Sequence, residues 1–186
     1  MAGHSKWAQI KRQKAVTDAA KSRAFSRLAR VITLESKKSA GNLSTPSLAA
    51  AIERAKAANM PRDNIERAIL KGASKDAAML DQVAYEFFGP GGSAVIATAF
   101  TDNKNRTTQE IKHLLSKNGY ELGTPGSAAW AFEKAPNGSY APHEPLVDLS
   151  EETEETLATL LSLLDEHDDI QEVYTNARGY ENTGTE

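Results

Sequence analysis

The change from helical to strand-like sequence occurs at residues 83–100, which read VAYEFFGPGGSAVIATAF. Residues 83–88 are apolar and aromatic, and residues 93–100 form an almost continuous apolar run, as buried strands do. Between them, Gly89-Pro-Gly-Gly92 predicts a tight turn, and it matches neither the P-loop nor the dinucleotide-binding fingerprint. We therefore predict two consecutive strands, which begin a domain of mixed helices and strands.

Helices and strands alternate downstream of this pair. Ile111, Leu114 and Leu115 give the first helix its apolar side, and Thr107 and Glu110 have the spacing of a capping box near its start. The predicted elements are a helix at 108–118, strands at 128–132 and 146–149, a helix at 150–166 and a strand at 170–176. After the leading strand, this β-α-β-β-α-β order predicts a ferredoxin-like domain over residues 81–186.

Upstream of the strands, the sequence has helical periodicity. Thr45-Pro46 and Met60-Pro61 are helix start signals, because proline is favoured at the first helical position, and Gly72 is suited to ending a helix. Helices are predicted at about 17–38, 46–59 and 61–72. Together they predict a three-helix bundle with a basic arm over residues 1–75, and a linker at 76–80. The fold class is therefore α+β.

The charge of the chain is divided between these two parts. The formal net charge of the whole chain is −3. Residues 1–75 contain 16 Lys/Arg against 5 Asp/Glu, a balance of +11, whereas residues 76–186 contain 6 against 20, a balance of −14. Such an asymmetry is typical of nucleic-acid-binding proteins, and it predicts that the N-terminal domain binds a polyanion.

The first helix carries positive charge on one side and apolar residues on the other. Its apolar stripe, at helical spacing, consists of Phe25, Leu28, Ala29 and Ile32. At 100° per residue, four cations lie on nearly the opposite side, namely Arg23, Arg27, Arg30 and Lys37. The pattern predicts a helix that buries one face and presents the other to phosphates.

The candidate nucleic-acid site combines this helix with the arm and with a second, smaller group of cations. Trp7 is a candidate for base stacking, and Lys104 and Arg106 precede a helix, where anions bind well. The full set is Lys6, Trp7, Lys11, Arg12, Lys14, Arg23, Arg27, Arg30, Lys37, Lys104 and Arg106. No base-reading set is evident, so the pattern favours backbone binding. It does not distinguish DNA from ribosomal or transfer RNA.

Other kinds of site find little support in the sequence. The chain has no cysteine, which excludes disulfides, Cys-ligated zinc and a thiol nucleophile. Its four histidines have no metal-ligand spacing, and Asp168 and Asp169 are interpreted as an acidic turn. No apolar run approaches the roughly 20 residues that span a bilayer. We therefore expect a cytoplasmic, non-enzymatic protein, a monomer with no cofactor, metal, small-molecule substrate or membrane partner.

Six segments of the sequence, taken in order, resemble the YebC family of bacterial regulators, which includes the mitochondrial translational activator of cytochrome oxidase. The resemblance covers nearly the whole chain. The segments are residues 2–7 (AGHSKW), 59–68 (NMPRDNIERA), 85–92 (YEFFGPGG), 101–107 (TDNKNRT), 122–127 (LGTPGS) and 168–176 (DDIQEVYTN). One departure is that family members usually carry a third domain, inserted after the strand at 130–132. Only residues 133–144 stand in its place here.

The resemblance implies a regulatory factor without an enzymatic reaction or cofactor. The family is described as transcriptional regulators that bind DNA, and it is also linked to ribosomes and to relief of stalling at proline-rich sequences. Because no base-reading element is evident, we favour ribosomal RNA over promoter DNA. An adaptor whose basic helices bind an acidic protein is the alternative hypothesis.

Overall fold

The computed structural model describes residues 6, 9–10, 18–74, 80–136 and 138–180. The chain forms two compact units, Thr17–Asp81, the helical unit, and Gln82–Glu186 with residues 1–16, the α+β unit. Helices come first, and a sheet with interspersed helices follows, which confirms the predicted α+β class. Of the described residues before the first helix, Lys6 and Ile10 contact the α+β unit.

Three helices form the described part of the helical unit, and proline marks the beginning of two of them. The helices are α1 (Asp18–Lys38), α2 (Pro46–Ala57) and α3 (Arg62–Ala73). Their bounds lie within two residues of the prediction, since periodicity and proline starts are local signals. The core consists of small and aliphatic residues, namely Ile32, Leu48, Ala51, Ala55, Met60, Ile65 and Ala68.

Small and hydroxylated residues let α1 and α3 approach closely. The Thr33 hydroxyl donates to the Ala68 carbonyl oxygen at 3.2 Å, and the Ser36 hydroxyl donates to the Ile69 carbonyl oxygen at 2.7 Å. At the same crossing, a Cβ atom on Gly72 would lie 2.3 Å from the Thr33 carbonyl oxygen. Gly72 is therefore required by packing, in addition to its place near the end of the helix.

Among its described residues, the α+β unit contains five strands and two helices. They are β1 (Asp81–Phe88), β2 (Ala94–Thr101), α4 (Lys104–Lys117), β3 (Phe132–Lys134), β4 (Tyr140–Pro142), α5 (Glu151–Glu166) and β5 (Ile170–Thr175). One sheet has the order β1-β2-β5, and β3 and β4 form a separate antiparallel pair. β2 and β5 are antiparallel, with Val95 opposite Thr175 and Ala97 opposite Val173.

The sheet is covered on both faces, and β2 shows how the two faces differ. Successive side chains of a strand point to opposite faces. Val95, Ala97 and Ala99 join a core with Leu157 and Leu161 of α5. The opposite face of the strand packs against the segment around β3, in a second core made of Ala94, Ile96, Ala128, Ala131, Phe132 and Tyr174. The near-continuous apolar run of β2 follows from this burial on both sides.

Three local predictions in this unit were wrong in detail. The first helix begins at Lys104 and not at 108, because Asn103 and not Thr107 is its N-cap, its side chain accepting from the Arg106 N–H at 3.1 Å. The strand predicted at 128–132 is a 3-10 turn, Ala129–Ala131, followed by β3. The strand predicted at 146–149 is reduced to an isolated bridge between Val147 and Ala177.

Replacing Gly72 with alanine tests the close approach of α1 and α3. We expect Gly72→Ala to lower the free energy of unfolding by roughly 1–3 kcal/mol, because the added Cβ overpacks a site bounded by backbone. Helix propensity alone would give the opposite sign, a gain of up to about 1 kcal/mol. As a control, Ala50→Gly on the exposed side of α2 should destabilise by about 1 kcal/mol. Chemical denaturation of the full chain measures both, and a Gly72→Ala variant as stable as the wild type would refute the packing argument.

Candidate nucleic-acid interface

The cations predicted on α1 lie on one side of a continuous helix. Ile32 is fully buried, and Phe25, Leu28 and Ala29 pack against the core of the helical unit. At 100° per residue, the four cations lie at 140–220° from Ile32, namely Arg23, Arg27, Arg30 and Lys37. Their side chains are half-buried. The buried stripe therefore fixes the direction in which this charge is presented.

The helical unit carries further cations that the sequence analysis did not single out. Residues 18–74 contain 11 Lys/Arg against 5 Asp/Glu, a surplus of six positive charges. Arg54, Arg67 and Lys71 are exposed, and the last two are one turn apart on α3. Helical spacing could have identified Arg67, since it lies nearly opposite the predicted buried side of its helix.

Several cations of the helical unit are paired within one turn of a helix. Lys38 contacts Glu35 at 2.7 Å, Lys56 contacts Glu53 at 2.8 Å, and Arg62 contacts Glu66 at 2.7 Å. Exposed pairs of this kind contribute little to stability and are screened by salt. They reduce the positive charge of the unit locally without cancelling it.

Of the residues predicted in the basic arm, the structure describes Lys6. Trp7, Lys11, Arg12 and Lys14 lie outside the described residues. The Lys6 backbone N–H donates to the Gly179 carbonyl oxygen at 2.6 Å, and its ammonium group contacts the Glu154 carboxylate of α5. The hydrogen bond to Glu154 raises the pKa of Lys6. This cation is therefore engaged by the acidic α+β unit in the structure.

Lys104 and Arg106, predicted as a positive island, differ in their surroundings. Lys104 is exposed in the first turn of α4. The Arg106 guanidinium lies 2.9 Å from Asp169, 3.1 Å from Asp102 and 3.8 Å from Glu110. The hydrogen bond to Asp169 is the main cause of its raised pKa. Much of the positive charge predicted here is therefore balanced within the unit.

Asp169, interpreted from sequence as part of an acidic turn, is buried and tied to α4. Its carboxylate accepts from Arg106 and from the Thr107 hydroxyl, which lies 2.7 Å away. The Thr101 hydroxyl is 2.8 Å from that of Thr107, and it accepts from the Asn103 N–H at 2.9 Å. Because the carboxylate can only accept, Thr107 donates to Asp169 and Thr101 donates to Thr107. This network joins the end of β2 to the turn before β5.

Glu110, His167 and Asp169 bring ligand-type atoms within 4.8 Å of one another. However, His167 Nδ1 accepts from the Asp169 N–H at 3.2 Å, and Nε2 lies 3.1 Å from Glu110. Since Nδ1 must keep its lone pair, Nε2 carries the proton and donates to Glu110. A metal would need one of these nitrogens, and Arg106 already supplies a cation here. The geometry fits a hydrogen-bonded ion cluster better than a metal site.

Glu86 is another buried carboxylate, and it binds a loop through backbone groups. One oxygen accepts from the Gly126 N–H at 2.9 Å, and the other accepts from Ala128 and Ala129 at 2.9 and 2.8 Å. The Gly123 N–H donates to the Glu86 carbonyl oxygen at 2.7 Å. Burial alone would raise the pKa of Glu86, but the three backbone hydrogen bonds lower it by more. The segments YEFFGPGG and LGTPGS are therefore in direct contact.

Fold and charge define a two-unit protein in which a basic three-helix unit precedes an acidic α+β unit. Comparison with family models also divides the chain, between residues 75 and 80. Residues 5–75 match the TACO1/YebC protein N-terminal domain, and residues 80–137 match the TACO1/YebC second and third domain. The chain belongs to the TACO1/YebC family, which confirms the resemblance drawn from its motifs.

Several relatives of this chain are named probable transcriptional regulatory protein. That of Dictyoglomus turgidum is 48% identical over 136 residues, covering 72% of this chain and 55% of the relative. That of Thermotoga maritima is 48% identical over 136 residues, covering 72% and 54%. That of Petrotoga mobilis is 42% identical over 178 residues, covering 94% and 70%. The chain thus spans about half the length of the first two.

A solved structure has the same fold. The crystal structure of a conserved hypothetical protein from Aquifex aeolicus aligns with a TM-score of 0.82 at 32% sequence identity. The alignment covers 94% of this chain and 97% of the other. Along the described part of this chain, no helix is both long enough and apolar enough to cross a membrane.

Replacing Glu86 with glutamine tests how the loop is held. At neutral pH, Glu86→Gln should lower the free energy of unfolding by roughly 1–3 kcal/mol, because a charged acceptor is removed and an NH2 group faces backbone donors. Because the pKa of Glu86 is depressed, its contribution is present above the unfolded-state pKa of about 4.3 and is lost as pH falls through the folded-state pKa. The difference in stability between the two proteins should therefore shrink in acid, as the pH falls through the folded-state pKa of Glu86.

Denaturation midpoints between neutral and acidic pH measure this convergence. Glu121→Gln is the matched control, because Glu121 is an exposed carboxylate in the same connection between α4 and β3. Its effect should stay within about 0.5 kcal/mol. A difference between wild type and Glu86→Gln that does not shrink in acid would show that the carboxylate charge does not hold the loop.

Proposed function

We propose that this protein is a cytoplasmic, non-enzymatic regulatory factor that binds the phosphate backbone of a nucleic acid through its helical unit. The placement of Arg23, Arg27, Arg30 and Lys37 on one side of α1, with the opposite side buried, is the observation that carries the proposal. Arginine suits bidentate contacts with phosphate, and a buried stripe orients the contacts. The surplus of positive charge in residues 18–74 supports the same assignment.

Within this proposal, the two cations at the start of α4 have unequal roles. Lys104 is exposed and lies at a helix N-terminus, which favours anions. Arg106 contributes less, because its guanidinium is shared among three carboxylates. Lys6 contributes after exchanging Glu154 for phosphate, and Trp7, Lys11, Arg12 and Lys14 complete the proposed set.

We favour ribosomal RNA as the target, and a role in translation that relieves stalled ribosomes. The resemblance to translational activators supports this role, and the residues of the site are suited to backbone contacts, with no set for reading base edges. The names of the relatives favour the alternative target, promoter DNA. Both targets use the same phosphate chemistry, so a direct comparison of the two is needed.

Charge reversal on α1 tests the proposal. We expect Arg23→Glu/Arg27→Glu/Arg30→Glu to weaken ribosome co-sedimentation and DNA mobility shift at matched salt. The salt slope on duplex DNA should fall by about 1 for each phosphate that the variant no longer neutralises. Glutamine at the same positions removes the charge without reversing it, in case the glutamates unfold the helix. Lys112→Glu/Lys117→Glu on α4 is the control and should change binding little.

Each outcome decides between the alternatives. Loss of binding in the α1 variants, with normal circular dichroism, supports the proposal. If the wild type binds neither ribosomes nor DNA with a steep salt dependence, the proposal is refuted. That result would favour an adaptor that binds an acidic protein. Binding to a specific operator that survives competitor DNA refutes the ribosomal target and favours promoter DNA.

A further inference from the structure

Trp130 is a large aromatic side chain left on the surface of the α+β unit. It lies in the 3-10 turn Ala129–Ala131, between the buried residues Ala128, Ala131 and Phe132, and yet 69% of its surface is exposed. Tryptophan presents one of the largest apolar areas of any side chain. Exposure of that apolar area to water is unfavourable in free energy, and packing within the α+β unit does not bury it.

The indole is held in place although it is exposed. Its Nε1–H donates to the Ser127 carbonyl oxygen at 2.9 Å, so its one polar group is already satisfied. The N–H groups of Ala128 and Ala129, which precede it, are bound to the buried carboxylate of Glu86. These hydrogen bonds fix the orientation of the ring. Because the indole N–H is already bonded, a ligand would contact the faces of the ring.

Exposed residues lie shortly before Trp130 in the chain, and Trp130 lies on the face of the sheet opposite the acidic helix α5. Thr124, Pro125 and Gly126 are exposed, and the space beside Gly126 is open, with no atom within 4 Å of the position of a Cβ. The turn packs on the face of β2 that carries Ala94 and Ile96, whereas α5 packs on the opposite face. The carboxylates at the start of α5 are therefore separated from Trp130 by the sheet.

The isolation of this ring favours a small planar ligand over a protein partner. Among the described residues of the α+β unit, Phe88 is the one other large apolar side chain that is strongly exposed, at 44%. Within the same described residues, the ring contacts join Phe132, Tyr140 and Tyr174 and do not include Trp130. A stable protein interface needs about 800 Å² on each partner, whereas a single nucleobase needs one aromatic face.

We propose that Trp130 is a stacking site for an unpaired base of RNA, a second contact that rests on the proposed function. The helical unit supplies the charge-dependent binding, and Trp130 adds a contact that discriminates single-stranded or looped RNA from duplex. Stacking is tolerant of sequence because every base has a π-face. The contact would therefore add a preference for RNA structure without adding sequence specificity.

Binding of a fluorescein-labelled single strand and a duplex, each of about 12 nucleotides, tests the inference. Trp130→Ala should weaken binding of the single-stranded RNA about tenfold and leave the duplex unchanged. Trp130→Phe should retain most of the affinity, because stacking needs an aromatic ring and not the indole N–H. Phe88→Ala is the control for removal of an exposed aromatic residue and should bind like the wild type. Single-stranded DNA of the same sequence shows whether the ribose contributes.

Tryptophan emission provides a second readout that does not depend on the stability of the alanine variant. In a Trp7→Phe background, Trp130 is the remaining tryptophan, and its emission should be quenched by single-stranded RNA and not by duplex. Equal affinity of wild type and Trp130→Ala for the single strand, or unchanged emission at saturating RNA, overturns the inference. In the first case, retained salt-dependent binding leaves the proposed function standing, so the two failures are distinguishable.

Discussion

The buried carboxylate of Glu86 fixes the long irregular connection between α4 and β3. A carboxylate that leaves water loses several kcal/mol of hydration unless donors replace the missing hydrogen bonds. Three backbone N–H groups, those of Gly126, Ala128 and Ala129, do so. The same bonds satisfy donors that have no partner in a regular helix or sheet. The Glu86 carboxylate and the three loop N–H groups therefore satisfy each other. The second core, on the face of the sheet that this loop covers, depends on that contact.

This constraint explains why the segment after the loop covers one face of the sheet. Once Ala128 and Ala129 are tied to β1, the chain leaves the 3-10 turn with Ala131 and Phe132 directed into the second core. Tyr140 and Tyr174 complete that core with edge contacts, at 6.3 Å between Phe132 and Tyr140 and at 5.4 Å between Tyr140 and Tyr174. Burial raises the pKa of Tyr174 to about 12. The sheet is covered on this side by a loop and a short hairpin in place of helices.

Helix positions could be predicted from the sequence because their signals are local. The bounds of α1, α2, α3 and α5 follow from apolar spacing, proline starts and the Ser150 cap, whose hydroxyl accepts from the Thr153 N–H. The errors arose where a distant partner decides the local structure. Residues 128–132 alternate like a strand, yet Glu86, more than 40 residues earlier, holds their first N–H groups in a turn.

The candidate site could be predicted in its charge but not in its internal pairing. Spacing along α1 gave the common direction of Arg23, Arg27 and Arg30, because one helix contains all three. By contrast, Asp169 lies 63 residues from Arg106, and no local pattern indicates that a buried carboxylate meets that guanidinium. The acidic unit has many carboxylates for each of its few cations, and in it Arg106 and Arg178 each contact a carboxylate. In residues 18–74 of the basic unit the cations outnumber the carboxylates by six, so the carboxylates cannot balance all of its positive charge.

Lys6 belongs to the proposed phosphate-binding set and is also paired with a carboxylate, that of Glu154. The ion pair is exposed, so water and salt screen it, and a phosphate can replace the carboxylate at small cost. The backbone hydrogen bond from Lys6 to Gly179 and the packing of Ile10 against the α+β core do not depend on that charge. An exchange of partners at Lys6 would therefore leave the other contacts of Lys6 and Ile10 with the α+β unit in place. For this reason, the observed ion pair is compatible with a role of Lys6 in phosphate binding.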